Sequence, residues 1–347
     1  MKSNILITGN LGYIGTVLTE YLVKKKYYIV GLDSGLFKDC LLSNETLPNK
    51  QIIKDIRDVE NQDFENIDII IYLSAISNDP LGEFDKKITN DINYLGAVNF
   101  AQKAKNFGIK KFIFISSQSM YGISDKEEEL DEDNSEKNPI TEYAITKWKA
   151  EKEILKLNSE KFTAVSLRPS TVFGSSPRLR SDIVFNNLLG CAYTTGEILI
   201  KSDGSPWRPV IHVKDVANAI NATIEAPNDL IAGRSFNIGI PDGNFKVREI
   251  AEVVRKLIPN CKIKYTEEHA DNRTYKVSFK KILTDLKKYY TPEYNLLSGG
   301  EELLNFYKEI NFNFNDFQGF KTNRIICLKE RYKKTIDESF RVINNNF

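Results

Sequence analysis

The sequence predicts an α/β fold in which a doubly wound parallel sheet is joined to a smaller mixed α/β domain. In the first half of the chain, short β-rich runs alternate with longer helical patterns. The runs are continuous stretches of Ile, Val, Leu and Phe, which is typical of strands buried on both faces. A glycine-rich turn follows the first run directly. Together these observations indicate a parallel sheet covered by helices.

The elements of this first half follow one another in a regular order. Each apolar run is short enough for a strand, and the longer segments between them have a helical pattern. The predicted strands are 4–9, 27–33, 51–56, 67–75, 110–117 and 162–169, and the predicted helices are 14–25, 90–106 and a segment that begins near Thr141.

After Pro169 the rhythm changes. Segment 175–206 starts with turn residues and becomes helical up to about residue 195. A strand at 208–213, a helix at 214–226 and a strand at 234–239 are expected to return to the first domain. The remainder predicts a helix at 246–258, a strand at 262–266 and short ordered pieces up to the end of the sequence.

The composition is that of an ordinary globular protein, with 41% hydrophobic and 27% charged residues among 347. The 48 Lys and Arg nearly balance the 47 Asp and Glu, which argues against binding to nucleic acid or to an anionic membrane. The four cysteines form no C-x-x-C pair, and two histidines are too few for a histidine-rich metal site. Without a signal peptide or a run of eighteen apolar residues, we expect a cytoplasmic protein without metal.

The turn after the first strand, "LITGNLGYIG", has glycines at three positions where a helix begins. Glycines allow a tight strand-to-helix turn and a close approach of backbone N–H groups to a pyrophosphate. Asp33 closes the second strand, where a carboxylate binds the ribose hydroxyls of NAD and repels the extra phosphate of NADP. Ordinary turn glycines and a surface aspartate are the alternative. The predicted NAD contacts in this turn are Gly9, Gly12, Tyr13, Ile14 and Gly15.

Two further strand ends are candidates for cofactor contacts. Asp55 and Ile56 follow the third strand, where they would meet the adenine edge, although a simple strand-end turn explains the same residues. Leu73, Ser74 and Ala75 close the fourth strand and would lie beneath the cofactor. Ordinary close packing would also favour small residues there.

Tyr143 and Lys147 are four residues apart in a predicted helix, so they share one face of it. An amphipathic helix with an aromatic edge is the simple explanation. In a dinucleotide-binding fold, however, a tyrosine can accept a hydroxyl proton, provided that its pKa falls below the ordinary value of about 10. A lysine beside it favours the phenolate, so we expect Lys147 to lower the pKa and to bind the nicotinamide ribose. Ser117 is the first candidate for a third hydrogen-bonding group, ahead of Ser116 and Ser119.

These motifs resemble the extended short-chain dehydrogenase/reductase family, and more narrowly its NAD-dependent nucleotide-sugar epimerases and dehydratases. The quoted turn, the acid after the second strand, "SSQSMYG" and Y-x-x-x-K carry the resemblance, and further segments follow the family's order. Those segments are "LRPSTVFG" (167–174), "WRPVIHVKDVANAI" (207–220), "FNIG" (236–239) and "DNRTYKVSFKKI" (271–282).

The resemblance implies a division of labour between two domains. It implies an NAD-binding Rossmann domain over residues 1–174 and 207–241, and a nucleotide-sugar-binding domain over 175–206 and 242–347. It also implies that Ser117, Tyr143 and Lys147 form the catalytic set. The family further implies a homodimer that packs helix 90–106 and the tyrosine-bearing helix against a twin subunit.

Arginines are the candidate contacts for the substrate. The resemblance implies that Arg208 and Arg273 bind the substrate diphosphate, for which guanidinium geometry is well suited. Surface charges are the alternative. Arg178 and Arg180 lie in a turn-rich loop and are further candidates, whereas the resemblance implies a structural role for His212.

Departures from the family pattern narrow the expected reaction. The dehydratases carry Asp-Glu directly after the catalytic hydroxyl, but this chain has Gln118 and Ser119 there, which disfavours dehydration. Thr171 stands where many epimerases have an asparagine near the substrate, so the identity of the sugar is left open.

We expect a nucleotide-sugar epimerase, with C4 as the first candidate position, that acts through a keto sugar. The alternative is a net dehydrogenase or ketoreductase on the same class of substrate, because "VFGSSPRLRSDIVFNN" resembles a segment of enzymes acting on nucleotide-diphospho-heptoses. A non-catalytic relative is a third possibility, against which the intact Ser117, Tyr143 and Lys147 argue.

Overall fold

The computed structural model describes residues 2–124, 128–266 and 274–343. The strands within these ranges form one large sheet and two small ones. They are β1 (Asn4–Thr8), β2 (Tyr28–Asp33), β3 (Lys50–Ile53), β4 (Ile69–Tyr72), β5 (Lys111–Ile115), β6 (Thr163–Pro169), β7 (Thr171–Phe173), β8 (Glu197–Ile200), β9 (Trp207–His212), β10 (Ser235–Ile238), β11 (Asn244–Lys246) and β12 (Lys262–Tyr265).

The large sheet has seven parallel strands in the order β10-β6-β5-β4-β1-β2-β3. Strands β4, β5, β6 and β10 are buried along their whole length, which confirms the predicted doubly wound parallel sheet. The strand order reverses between β1 and β4. In such sheets a crevice opens at this point, outside the carboxyl ends of the strands, and it is there that ligands bind.

Helices cover both faces of this sheet and also surround the two small sheets. The α-helices are α1 (Tyr13–Lys24), α2 (Asp79–Gly82), α3 (Lys86–Asn90), α4 (Ala97–Phe107), α5 (Glu142–Lys156), α6 (Val184–Thr195), α7 (Val213–Glu225), α8 (Asn228–Ile231), α9 (Val247–Leu257), α10 (Lys280–Asp285), α11 (Leu296–Glu309), α12 (Phe314–Gln318) and α13 (Arg324–Arg331). A π-helical segment, Asp91–Gly96, leads into α4, and 3-10 turns follow β3 and β5.

Alternate residues of the strands feed two separate apolar clusters. Ile5 and Ile7 of β1 pack on the face covered by α1 and α7. Leu6, between them, packs on the opposite face with Phe100 of α4 and Ile154 of α5. The period-two alternation of strand side chains therefore serves two cores at once.

The small sheets lie outside the seven-stranded one. β9 pairs in parallel with β7 and antiparallel with β11, whereas β8 pairs with β12. The elements at 208–213, 214–226 and 234–239 were expected to return to the first domain. Of these, the strand at 234–239 corresponds to β10, which joins the large sheet by pairing with β6. The two-domain boundaries remain a prediction.

The described residues set two limits on the kind of protein. None of their helices combines the length and apolarity needed to cross a bilayer. Nor do three His, Cys, Asp or Glu side chains come together in them to hold a metal ion. The four cysteines are buried and are not joined in disulfides.

Glu302 of α11 ties the C-terminal helices to the β7–β9 sheet. Its carboxylate accepts hydrogen bonds from the Lys214 ammonium (2.6 Å) and the Ser175 backbone N–H (3.1 Å), and it lies 3.2 Å from Nε2 of buried His212. Burial would raise the pKa of Glu302, but these hydrogen bonds outweigh burial and lower it to about 2. Ionisation of the Glu302 side chain is therefore more favourable in the folded chain than in the unfolded one.

Replacement of Glu302 by Gln should destabilise the protein in a pH-dependent way. Because the folded pKa is depressed, the stabilisation is present above the unfolded value of about 4.5 and is lost as the pH falls towards 2. We expect a loss of about 2–3 kcal/mol at pH 7, of which roughly half disappears at pH 3.5. Urea unfolding at several pH values measures it. Glu301→Gln, an exposed neighbour on the same helix, is the control and should change little; an equal effect of both variants would contradict the network.

Candidate active site

A cleft of about 1010 Å³ opens at the crevice beside β1 and β4. It brings together most of the residues that the sequence singles out. Those that line it are Gly9, Gly12, Tyr13, Ile14, Gly15, Asp33, Asp55, Ile56, Leu73, Ser74, Ala75, Ser117, Tyr143, Lys147, Thr171, Arg180 and Arg208.

The turn between β1 and α1 has the geometry of an anion cradle. Gly9 has a left-handed backbone (φ +72°), and a Cβ added to Gly15 would lie only 2.2 Å from the Gly9 carbonyl oxygen. A Cβ at Gly15 would collide with the main chain of the turn, so glycine is what allows the turn and the start of α1 to pack this closely. Gly12 caps α1 without a side chain, and the first turn of the helix carries no acidic residue. The helix N-terminus is therefore open to a pyrophosphate.

Asp33 stands at the end of β2, beside this cradle. One carboxylate oxygen accepts a hydrogen bond from the Leu11 N–H (3.2 Å) and the other from the Gly35 N–H (2.8 Å). Burial raises the pKa of Asp33, while the two backbone hydrogen bonds oppose that rise. The loop thus presents a fixed carboxylate to a ribose, as the residues of a dinucleotide site should.

Asp55 and Ile56 line the cleft after β3, but the carboxylate of Asp55 is engaged by Arg57. The Arg57 guanidinium donates from Nε (2.9 Å) and Nη2 (2.7 Å) to the two oxygens of Asp55. Burial would raise the pKa of Asp55, but the contacts with Arg57 outweigh it and lower the pKa. The buried Ile56 side chain is therefore the apolar surface that this turn offers to a ligand.

Helix α5 carries Tyr143 and Lys147 into the cleft. Thr141 caps the helix, because its hydroxyl oxygen accepts a hydrogen bond from the Ala144 N–H (3.3 Å) and donates to Asp79 (2.5 Å). Both side chains line the same cleft, as the spacing of four residues predicts. Ser117 follows β5, lies close enough to Tyr143 to lower the pKa of its phenol, and accepts a hydrogen bond from the Ser119 hydroxyl (2.8 Å).

A buried ion pair anchors the same helix two turns further on. The carboxylate of Glu151 is fully buried and accepts hydrogen bonds from Arg168 (Nε 3.0 Å, Nη2 2.5 Å). The hydroxyls of Ser166 and Ser235 donate to it at 2.9 Å each. These partners belong to β6 and β10, so α5 is fixed in position relative to the sheet.

The pKa of Tyr143 departs from the value expected from the sequence. Lys147 was expected to lower it, but burial raises it to about 12, against the opposing effects of the Ser117 hydrogen bond and the Arg180 charge. Burial also lowers the pKa of Lys147 to about 7, and the nearby Glu151 only partly offsets this. The Lys147 ammonium lies 4.4 Å from the centre of the Phe114 ring. Desolvation is therefore the main cause of both pKa shifts. The spacing of residues in the sequence does not reveal it.

Arg180 enters the cleft as part of a network. Its guanidinium binds Asp182 through Nε (2.9 Å) and Nη2 (2.6 Å) and donates from Nη1 to the Ser77 hydroxyl (2.8 Å). Asn78, whose backbone is left-handed (φ +76°), also donates to Asp182 (2.6 Å). The cation is thereby held near Tyr143, whose pKa it lowers.

The other predicted arginines have different positions. Arg178 does not line the cleft: it is buried, binds Glu45 through two hydrogen bonds of 2.7 Å and donates to the Phe37 and Lys38 carbonyls. This engagement does not support a substrate contact at Arg178. Arg208 lines the cleft and donates to the Trp207 carbonyl (2.9 Å). Arg273 lies outside the described residues.

His212 lies apart from the reacting groups. It is fully buried, stacks on Tyr294 with ring centres 4.0 Å apart and caps α7 by accepting from the Lys214 N–H. These contacts suit the structural role that the resemblance implies.

Several cleft residues were not predicted from the sequence. Asp79 and Asp182 were missed, although the N-D-P and R-x-D patterns around them are typical of a capped turn and a local ion pair. Arg324 and Phe340 also line the cleft but lie far away in the chain, and no local motif marks them.

Comparison with known proteins identifies relatives of this architecture. A family model described as the NAD dependent epimerase/dehydratase family matches residues 5–239. A putative UDP-glucose 4-epimerase of Methanocaldococcus jannaschii is 25% identical over 318 residues, which are 88% of this chain and 99% of that protein. An uncharacterized UDP-glucose epimerase of Bacillus subtilis is 29% identical over 251 residues, covering 68% of this chain and 76% of the relative.

A solved structure has the same fold. The UDP-glucuronic acid 4-epimerase of Bacillus cereus, in complex with UDP-glucuronic acid and NAD, superimposes with a TM-score of 0.74 at 23% identity. The match covers 88% of this chain and 99% of that one. The glycine cradle, the open helix N-terminus and the Asp33 carboxylate described above fit the same cofactor, NAD.

Replacement of Lys147 by Met should stabilise the protein. The folded pKa of about 7 lies below the unfolded value of 10.5, so the buried lysine opposes folding below pH 10.5. Removal of the charge should raise the free energy of unfolding by up to roughly 4 kcal/mol at pH 7 and by about 1 kcal/mol at pH 9.5. Urea unfolding at both pH values tests this. Lys149→Met, exposed on the same helix, serves as the control, and a Lys147→Met variant that is less stable at both pH values would refute the prediction.

Proposed function

Because the chain belongs to the NAD-dependent epimerase/dehydratase family, we propose that it is a nucleotide-sugar epimerase that inverts C4 through a transient keto sugar. The observation that carries the proposal is the set formed by Ser117, Tyr143 and Lys147 in one cleft with an anion cradle. Two matched relatives are named as UDP-glucose epimerases, and from these we infer that the substrate is a UDP-sugar.

The residues after Ser117 favour epimerisation over elimination of water. The amide of Gln118 is buried and donates to the carbonyl oxygens of Arg168 (2.9 Å) and Ile238 (3.3 Å). The Ser119 hydroxyl donates to Ser117. Neither side chain is an acid or base near neutral pH, and elimination requires both in addition to the tyrosine.

The proton transfer is assigned to Tyr143. As the sugar carbon is oxidised, the phenolate accepts the proton of the hydroxyl on that carbon, and it returns the proton when the carbon is reduced on its opposite face. Ser117, which lines the cleft beside Tyr143, would hold the same sugar oxygen. Bound NAD⁺ supplies the redox chemistry by accepting a hydride and giving it back.

Positive charge must favour the phenolate, since burial is the main cause that raises the pKa of Tyr143 to about 12 even with Arg180 nearby. Arg180 already acts in this direction. Lys147 contributes when it is protonated, and its place in the cleft suits a hydrogen bond to the nicotinamide ribose. The glycine cradle and Asp33 would hold the pyrophosphate and the adenosine ribose.

The cleft would hold the dinucleotide and the sugar together, and the sugar must turn over within it. Inversion requires the keto sugar to present its second face to the same hydride donor. At about 1010 Å³, the cleft lies at the upper end of the range for small-molecule sites, about 300–1000 Å³. We assign Arg208 and Arg273 to the diphosphate and Thr171 and Arg180 to the sugar end.

We also propose a cytoplasmic homodimer. Leu95, in the π-helical segment ahead of α4, is 45% exposed, and α5 packs beside this segment. An apolar side chain in this position would be covered if the two segments met a twin subunit. Light scattering after size-exclusion chromatography should give twice the mass of the chain, and Leu95→Glu should shift it to that of one chain.

The reaction itself is tested with a panel of UDP-, dTDP-, GDP- and CDP-sugars. We expect an isomeric product with at least one UDP-sugar and no net change at the NADH absorbance band. Stoichiometric NADH would instead indicate a dehydrogenase, and an accumulating unsaturated or deoxy-keto product would indicate a dehydratase. Either result would overturn the proposal.

Tyr143→Phe should lower turnover by about a thousandfold, because general acid–base catalysis contributes roughly 10²–10⁴. NAD should remain bound, since the phenyl ring still fills the cleft. Tyr94→Phe, a partly buried tyrosine outside the cleft, is the matched control and should retain activity. Substantial turnover by Tyr143→Phe would show that another group is the base.

A further inference from the structure

The part of the cleft beside Tyr143 carries charged side chains of both signs. Arg180, in the loop between β7 and α6, and Asp79, at the start of α2, both line the cleft. Their charges act on the phenol in opposite directions, because Arg180 lowers the pKa of Tyr143 and Asp79 raises it. A sugar whose hydroxyl meets Tyr143 therefore lies within reach of both charges.

Asp182 compensates the charge of Arg180 at the surface of the cleft. Two guanidinium nitrogens of Arg180 donate to its two carboxylate oxygens, Nε at 2.9 Å and Nη2 at 2.6 Å. Burial would raise the pKa of Asp182, but the charge and hydrogen bonds of Arg180 outweigh burial and lower it. Asp182 also lines the cleft, with 16% of its side chain exposed. An ionised carboxylate therefore borders the space that a ligand enters.

A second loop holds this carboxylate in place. The side-chain amide of Asn78, in the loop after β4, donates to Asp182 (2.6 Å), and Ser77 beside it accepts from Nη1 of Arg180 (2.8 Å). The backbone of Asn78 (φ +76°, ψ 165°) is in a region found almost only in glycine, which persists where the surroundings impose it. Asp182 is therefore a fixed part of the cleft, not a side chain that can turn away from a ligand.

Arg324, at the start of α13, is a second cation in this region. It is 96% buried and lines the cleft, and its guanidinium donates to the carbonyl oxygens of Lys321 (2.7 Å) and Arg178 (2.8 Å). Its charge also lowers the pKa of Asp182. The same carboxylate thus faces two arginines.

The side chains of Arg180, Arg324, Asp79 and Asp182, which we call the charged wall, balance one another. Lys147 adds only part of a charge near neutral pH, because burial lowers its pKa to about 7. A carboxylate that leaves water is tolerated where a cation pairs with it, and the charged wall has no surplus cation to offer. An uncharged hydroxyl needs only hydrogen-bonding partners.

The cleft provides such partners next to the charged wall. The side-chain oxygen of Asn323 is buried and has no hydrogen-bond partner within residues 2–124, 128–266 and 274–343, and Asn323 lines the cleft. A sugar hydroxyl can donate to this oxygen, whereas an ionised carboxylate cannot. The hydroxyl of Ser77 also lines the cleft and can both donate and accept. These groups suit a ligand rich in hydroxyls.

We propose that Asp182 is a specificity-determining residue that selects an uncharged sugar over a uronate. The inference rests on the proposed function for the reacting carbon, C4, and deepens it by naming the sugar class: a hexose or N-acetylhexosamine without a carboxylate. A uronate carries its carboxylate on C5, next to C4. Because the C3 and C5 sides exchange places when the ring turns over, that carboxylate must meet the charged wall in one of the two orientations. Asp182 then repels it.

Binding to the wild-type chain loaded with NAD tests the inference directly. Titration calorimetry compares UDP-glucose with UDP-glucuronate, and UDP-galactose with UDP-galacturonate. The members of each pair differ only at C6, so the contacts of the nucleotide cancel. We expect each hexose to bind at least about tenfold more tightly than its uronate. If another nucleoside diphosphate binds more tightly than UDP, the same sugars are compared on it.

Asp182→Asn should reduce this discrimination by raising the affinity for the uronates. The amide keeps the shape of the side chain and removes the repelling charge, so we expect a gain of about tenfold for each uronate. A general loosening of the cleft would weaken binding and could not produce this gain. Asp229→Asn, exposed on α8 and outside the cleft, is the matched control and should keep the wild-type preference. If Asp182→Asn fails to fold, the wild-type comparison decides.

Two results would overturn the inference: a wild-type chain that binds either uronate as tightly as its hexose, or an Asp182→Asn variant that keeps the full discrimination. Efficient isomerisation of a UDP-uronate by the wild-type chain would likewise reject the role of Asp182 and keep the epimerase. A preference for hexoses without any isomerisation would reject the proposed reaction and keep the role of Asp182.

Discussion

The buried ion pair between Glu151 and Arg168 is the constraint on which the reacting groups depend. It fixes α5 against β6 and β10, and α5 carries Tyr143 and Lys147 towards Ser117 at the end of β5. Buried ion pairs contribute little net stability, because desolvation offsets their attraction. Their value here is positional, since a shift of α5 by a fraction of a turn would separate the phenol from the serine.

The fold was predictable where strands are fully buried. Continuous apolar runs revealed the strands of the seven-stranded sheet, and their parallel order follows from the helices between them. The short strands β7, β8 and β11, of three or four residues, carry no periodic pattern and were missed. The pairing of β9 with β7 and β11 also depends on contacts between distant segments, and no local pattern encodes these.

The candidate site was predictable where chemistry demands a residue type at a fixed spacing. A phosphate turn needs glycines and a proton acceptor needs a neighbouring cation, so both left a pattern in the sequence. No chemical step fixes the residue type or spacing at Arg178. Its side chain instead holds the loop after β2 through an ion pair with Glu45. The opposite pKa shifts of Tyr143 and Lys147 come from burial, which emerges only when α5, β5 and the cleft come together.

The cleft is lined by residues that are far apart in the sequence, from the glycine cradle at Gly9–Gly15 to Phe340. Domains generally fold as units during synthesis, beginning with the N-terminal one. The seven strands of the large sheet, the last of which ends at Ile238, are therefore synthesised before the residues around Phe340. A cleft lined by both parts of the chain would then take its final form only after the sheet has assembled.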